Sequence, residues 1–208
     1  DSKQSTKYAL HLFQSGLGMP DRDYYLKDDA ESQRVRSAYK KHVEAGFRLM
    51  GRTVPESQNG TSVLLSLETD LARISMKKED RHDAEKVYHK KTRTEIQKLS
   101  PVLVWSEYFK AINAGTPSYA IVMQPKFFAG LSTLFKKTPL EELKSYVEWH
   151  IVNDYSPYLS DRFIKQSFSF YGTVLSGAKV IKPLWRRVMG TVSGSLGEAL
   201  GQIFVAKH

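Results

Sequence analysis

From Asp29 onward, apolar side chains recur at helical spacing: Val35, Tyr39, Val43, Phe47 and Met50 share one face, and Gly51 follows where a helix commonly ends. Upstream, residues 8–13 place Tyr8, Leu10 and Leu12 on one side at period two, which predicts a short strand, and Gly16, Gly18 and Pro20 spell a turn after it. Arg52–Thr61, with Pro55, Asn59 and Gly60, reads as a polar connector; Leu64, Leu67, Leu71 and Ile74 then predict a second helix. Residues 77–93 mix both charge signs without apolar period and read as solvated surface. Thr92 with Glu95 has the spacing of a capping box, so a short helix to Leu99 is expected. Pro101 suits the first turn of a helix carrying Val102, Trp105, Phe109 and Ile112, ended by Gly115.

Tyr119–Met123 is short and apolar, a second strand or a buried helical piece, and a helix is expected from Pro125 to Phe135. Thr138, Pro139 and Glu141 spell a helix start, with Thr138 as N-cap, ahead of an apolar face of Leu140, Leu143, Val147 and Ile151. Phe163 or Ile164, Phe168 and Tyr171 continue the helical spacing. The last segment, from about Pro183, carries Trp185, Val188, Val192, Leu196, Ala199 and Ile203, with Gly190, Gly194, Gly197 and Gly201 along one face. Each glycine costs a helix about 1 kcal/mol relative to Ala. Close approach of another backbone is the first reading of that face, and a broken helix the second. The fold class is therefore mainly α, a multi-helix unit with one or two short β-strands.

Composition narrows the function more than the fold. The 208 residues can bury a core without disulfides, and there is no cysteine, which removes thiol nucleophiles and Cys-ligated metals. No apolar run approaches the roughly 20 residues of a membrane helix. The chain begins at Asp1 in mid-pattern, as a processed or excised piece would. The charge of +9 invites a nucleic-acid reading, but the densest basic run is interleaved with Glu79, Asp80, Asp83, Glu85 and Glu95, and Lys40-Lys41, Lys136-Lys137 and Arg186-Arg187 are isolated pairs. No nucleic-acid partner is expected.

Candidate chemistry is sparse. Gly16-Leu17-Gly18 continues as Met19-Pro20-Asp21, so it is no dinucleotide loop, and no Gly-Lys-Ser/Thr occurs. None of His11, His42, His82, His89, His150 and His208 forms His-Glu-x-x-His. His82 and His89 read as solvated, and His150 beside Trp149 as packed. Ser195 sits one residue short of a nucleophile elbow. No residue is assigned a catalytic or metal-ligating role, and substrate contacts cannot be named.

The block Leu17-Gly18-Met19-Pro20-Asp21-Arg22-Asp23-Tyr24-Tyr25-Leu26, with Asp1, Lys3 and Gln14 before it, resembles a block of the neprilysin, endothelin-converting enzyme and oligopeptidase O family of zinc metallopeptidases. Similar blocks follow in family order: Lys78–Arg81 with Tyr88–Thr92, then Leu143–Trp149, then Trp185–Val188 with Leu196–Val205. The resemblance spans nearly the whole chain.

It implies a zinc metalloendopeptidase that hydrolyses oligopeptides, with zinc as cofactor of the full-length enzyme. The family's His-Glu-x-x-His helix, its downstream Glu-x-x-x-Asp and its Asn-Ala pair all fall beyond the last block, so no zinc is expected on this chain and it is expected to be inactive alone. By the same resemblance, residues 1–27 are a strand and turn segment reaching toward the catalytic lobe, and residues 28–208 a helical cap lobe that restricts access to an enclosed cavity. The implied partners are the C-terminal zinc-containing lobe and oligopeptides. Arg22, Asp23, Tyr24 and Tyr25 either fix the turn between lobes or touch peptide. Animal members are disulfide-linked, whereas this chain lacks Cys, which points to a bacterial member of the periplasm or cell envelope, with the cytoplasm as the other choice. A stand-alone helical peptide- or anion-binding module lacking the zinc half is the alternative function.

Overall fold

In the computed structural model, which describes residues 1–207, the chain runs β1 (Leu10–Leu12), α1 (Asp23–Leu26), α2 (Ala30–Leu49), α3 (Val54–Ile74), β2 (Lys90–Thr92), α4 (Arg93–Leu99) and α5 (Trp105–Ala111). It continues through β3 (Tyr119–Val122), α6 (Pro125–Lys137), α7 (Leu140–Tyr155), α8 (Asp161–Ser167), a π-helical turn at Phe168–Val174, α9 (Leu184–Ser195) and α10 (Gly197–Lys207). The architecture is mainly α with one small sheet, as expected.

α2 follows its pattern closely. The Asp29 carboxylate accepts the Ser32 amide at 2.9 Å, Val35, Tyr39, Val43 and Phe47 are all buried, and Gly51 takes a left-handed φ of 92° just past the end. Its partner α3 begins earlier than predicted. Thr53 and Glu56 close a capping box and Pro55 lies in the first turn, where a missing amide costs nothing. The supposed connector is thus the first two turns of a helix, and Gly60 within it is buried where an added Cβ would press on Phe47 and Arg52.

The sheet has the order β1-β3-β2. β1 runs parallel to β3, with Leu10 opposite Ala120 and Leu12 opposite Val122, and β2 is antiparallel, with Lys91 opposite Ala120. The apolar piece at 119–123 is therefore a strand. β2 lies in the stretch expected to be plain surface: Lys-Lys-Thr is a polar edge held by the backbone ladder, with Lys90 Nζ 4.0 Å above the Tyr119 ring.

Two apolar clusters meet on α3. Leu67 and Leu71 face a core with Leu12, Ile96, Trp105 and Phe128; Leu64 and Ala72 face one with Tyr39, Phe47, Trp149 and Phe170. The Thr92–Glu95 box is formed as predicted. α5 is shorter than predicted, because residues 100–104 turn before it and Trp105 Nε1 donates to the Ser100 carbonyl at 3.1 Å.

α7 departs most. Thr138 does not cap it: the hydroxyl donates back to the Leu134 carbonyl at 2.8 Å, closing α6, and Pro139 takes the N-cap position. Of the predicted apolar face, Leu143 packs against the core but Leu140, Val147 and Ile151 are more than half exposed, while Tyr146, Trp149 and His150 pack inward. The larger rings, each with a polar atom that finds a partner inside, take the buried side.

The glycine face of the last segment meets nothing. An added Cβ at Gly190, Gly194, Gly197 or Gly201 would stand in open space among the described residues. The predicted single helix breaks at Leu196, whose φ and ψ of −129° and 34° separate α9 from α10. The close backbone contact inferred from these glycines is absent among the described residues, which instead contain the broken helix.

Candidate functional site

The most distinctive block of the sequence, residues 16–26, is fastened at almost every position. Gly16 has a left-handed φ of 99° and its carbonyl accepts the Tyr146 hydroxyl at 2.7 Å. At Gly18 a side chain would overlap the Tyr39 hydroxyl, and its carbonyl accepts from Tyr171 at 3.1 Å. The Met19 amide donates to the Tyr25 hydroxyl at 2.9 Å, and that hydroxyl donates to Glu68 Oε2 at 2.7 Å. Arg22 donates to the Ser75 carbonyl at the end of α3, Asp21 pairs with Arg81 at 3.1 Å, and Asp23 pairs with Lys27 at 2.6 Å. Arg36 of α2 donates to the carbonyls of Tyr24, Tyr25 and Lys27.

Glu68 is the centre of this arrangement and is wholly buried. Its second oxygen accepts the Tyr39 hydroxyl at 3.0 Å and lies 2.9 Å from His150 Nε2, while Trp149 Nε1 donates to the Tyr39 oxygen at 3.3 Å. A buried carboxylate persists where hydrogen bonds replace its water, and here three side chains from three helices do so. Sequence reasoning marked Tyr25 and placed His150 correctly as a packed residue, but missed Glu68. A lone acid on an otherwise apolar helix face is the only signal it leaves.

A second set adjoins it. His42 Nε2 donates to Asn153 Oδ1 at 3.1 Å, and Gln166 Nε2 donates to His42 Nδ1 at 3.2 Å; the acceptor at one ring nitrogen and the donor at the other select the neutral Nε2–H tautomer. Burial holds the His42 pKa below its ordinary value. Asn153 Nδ2 donates to the Tyr171 hydroxyl at 3.0 Å. Between these groups, Gly18, His150, Asn153, Asp154 and Tyr171 line a cleft of about 420 Å³. His150 Nε2 is committed to Glu68, Asn153 to His42 and Tyr171, and the Tyr171 hydroxyl to the Gly18 carbonyl, so these groups order the fold.

Burial, and next the Glu68 charge, pushes the Tyr25 and Tyr39 hydroxyls well up, and Tyr146 also. Burial raises Tyr171 to about 12, against the lowering bond from Asn153. A raised phenol pKa stabilises the fold below the unfolded value near 10, and that contribution is lost as pH climbs from there through the folded value. The depressed His42 works on the other limb: its contribution is present above the unfolded value near 6.5 and is lost as pH falls below it. Spectrophotometric titration of tyrosine is therefore expected to show a class, comprising Tyr25, Tyr39, Tyr146 and Tyr171, that ionises above the ordinary range and only together with loss of near-UV circular dichroism. A single reversible step for all tyrosines would contradict the burial.

His82 is exposed as expected, whereas His89, also expected to be solvated, is half-buried with its Nδ1 enclosed; no group of three His, Cys, Asp or Glu among the described residues could hold a metal ion. The Glu68–His150 pair does not offer zinc a site either, since tyrosine hydroxyls occupy the carboxylate. The described residues do not fit a zinc ion.

The sequence description Peptidase family M13 matches residues 1–208. Endothelin-converting enzyme 1 of Rattus norvegicus is 32% identical over 212 residues, covering 99% of this chain and 27% of that protein. Among solved structures, the open state of zinc metalloprotease Zmp1 of Mycobacterium tuberculosis superposes with a TM-score of 0.93 at 29% identity, over 100% of this chain and 32% of that one. PepO of Lactobacillus rhamnosis shares the fold, with a TM-score of 0.78 at 17% identity over 94% of this chain and 31% of that one. The chain spans between a quarter and a third of the length of each of these proteins. Both solved neighbours are bacterial, and no helix among the described residues is long and apolar enough to cross a membrane.

Proposed function

The chain belongs to peptidase family M13, as its N-terminal segment, and from that premise we propose that it is the non-catalytic cap portion of a longer zinc metalloendopeptidase that hydrolyses oligopeptides. The observation that carries this reading is the match over all 208 residues set against coverage of only 27% of endothelin-converting enzyme 1. In this reading the zinc and its ligands belong to the C-terminal lobe, residues 28–208 form the helical cap, and residues 1–27 are the strand and turn segment reaching toward that lobe. The cap admits oligopeptides to an enclosed cavity and keeps folded proteins out. We place the enzyme in the periplasm or cell envelope of a bacterium.

Two surfaces support a covering partner within the same enzyme. One is the outward stripe of Leu140, Val147 and Ile151 on α7; the other is α9, where Leu184, Trp185 and Val188 stand exposed beside glycines with open space above them. Exposed apolar patches of this kind mark interaction surfaces, and glycines let a second backbone approach.

The test compares residues 1–208 with the longer polypeptide. The longer chain is expected to cleave a quenched fluorescent oligopeptide, to lose that activity to a chelator and to regain it with zinc, while residues 1–208 cleave nothing and retain no stoichiometric zinc. Hydrolysis by residues 1–208, or one tightly held zinc per chain, overturns the assignment. A stop codon directly after His208 would favour the stand-alone binding module instead.

A further inference from the structure

Folding gathers basic residues that lie far apart in the sequence. Arg22 from the turn before α1, Arg73 and Lys77 from the end of α3, Lys86 and Lys91 from the approach to β2 and from β2 itself, and Lys126 from the start of α6 line a single cleft of about 880 Å³. One carboxylate, Asp80, faces them.

Neighbouring acids neutralise only part of this set. Arg73 pairs with Asp70 at 2.5 Å, Lys86 with Asp80 at 2.5 Å, and Lys91 with Glu95 at 3.7 Å. Arg22, Lys77 and Lys126 have no carboxylate within ion-pair distance among the described residues. Arg22 is held by its bond to the Ser75 carbonyl, yet its Nε is buried without a hydrogen-bond partner, and so is Nδ1 of His89 in the same cleft.

The wall is not only charged. Ile74, Met76 and Pro125 contribute apolar surface between the cations. A single small anion would leave that surface wet, and the cleft contains no tyrosine or tryptophan on which successive bases could stack. A chain of alternating acidic and apolar side chains satisfies both parts of the wall, and the volume lies within the range of drug-sized ligand sites.

We propose that this cleft binds a short acidic peptide segment, its carboxylates set against Lys77, Lys126 and Arg22 and its apolar side chains against Ile74 and Pro125. Only the choice of a peptide as ligand rests on the peptidase reading. Binding is therefore measured with chelator present, so that a failure of hydrolysis and a failure of binding are separate results.

The experiment follows the fluorescence anisotropy of a labelled peptide of alternating Glu and Leu on the full polypeptide, beside its Gln-for-Glu counterpart. The acidic peptide is expected to bind and the Gln peptide at least about tenfold more weakly, with affinity falling as ionic strength is raised from about 0.05 to 0.3 M. The double variant Lys77→Glu/Lys126→Glu is expected to lose at least about tenfold in affinity, and Lys77→Gln/Lys126→Gln an intermediate amount. Both changes are at exposed positions, and an unchanged circular dichroism spectrum verifies folding. Equal binding of the two peptides, or no effect of either variant, overturns the proposal. Displacement by inorganic phosphate at equal concentration would reassign the cleft to small anions, and tighter binding of a single-stranded oligonucleotide would reassign it to nucleic acid; either result overturns the peptide assignment.

Discussion

Glu68→Ala is expected to lower the unfolding free energy by about 3–5 kcal/mol, a large share of the stability of a domain this size. The carboxylate is wholly buried and serves Tyr25, Tyr39 and His150 together. Its removal leaves those groups without an acceptor where water does not reach, and each orphaned group costs about 1–3 kcal/mol. Glu68→Gln keeps one acceptor oxygen and is expected to cost less. Urea titration measures both, and a shifted midpoint at constant slope isolates stability from compactness. The consequence reaches the sequence block that resembles the family. Tyr25 carries the Met19 amide on the hydroxyl it offers to Glu68, so losing Glu68 loosens residues 16–26 from α3. Limited proteolysis in that segment is expected to accelerate in step with the stability loss. A cost near 1 kcal/mol, typical of an ordinary hydrogen bond, would mean that neighbouring groups or water replace the carboxylate.

What the sequence made legible follows how local each signal is. Asp29 and the face from Val35 to Phe47 specify α2 from within, and Thr92 with Glu95 does so for α4, so both appear where expected. The start of α3 carried an equally local signal, Thr53 with Glu56, but Pro55, Asn59 and Gly60 resemble loop chemistry unless Pro55 is recognised as a first-turn residue. On α7 the periodicity pointed to the aliphatic face, and which side is buried depends on α2 and α3, which only the fold supplies. β2 is a strand because β3 lies beside it, not because Lys-Lys-Thr prefers to be one. The basic cleft was the least legible. Its cations are scattered from residue 22 to residue 126, and only the fold brings them to one cleft. The block at 17–26 was visible as a resemblance, but its role rests on Glu68, 43 positions from Tyr25.

The contact between α2 and α7 offers a reversal of sign as its test. Gly46 is buried in the last turn of α2, and a Cβ built on it would overlap the Trp149 ring at Cζ3 and Cη2. In a helix, alanine is favoured over glycine by about 1 kcal/mol. Overpacking typically costs about 1–3 kcal/mol, and the flat Trp149 ring has nowhere to retreat: it is 1% exposed, with Phe47 centred 5.5 Å away and His42 5.3 Å away. Gly46→Ala is therefore expected to destabilise the native chain. Trp149→Ala is expected to cost about 3–5 kcal/mol, the usual penalty for emptying a large aromatic site. In that background the added methyl enters vacated space, and the helix gains its propensity without a clash. Gly46→Ala should then stabilise the Trp149→Ala protein, and the double variant should be more stable than the tryptophan variant alone. Equilibrium unfolding of the four proteins gives the coupling directly. If Gly46→Ala shifts stability equally in both backgrounds, the helices do not meet at this point; opposite shifts mean that glycine sits at position 46 to let the Trp149 ring lie against the α2 backbone.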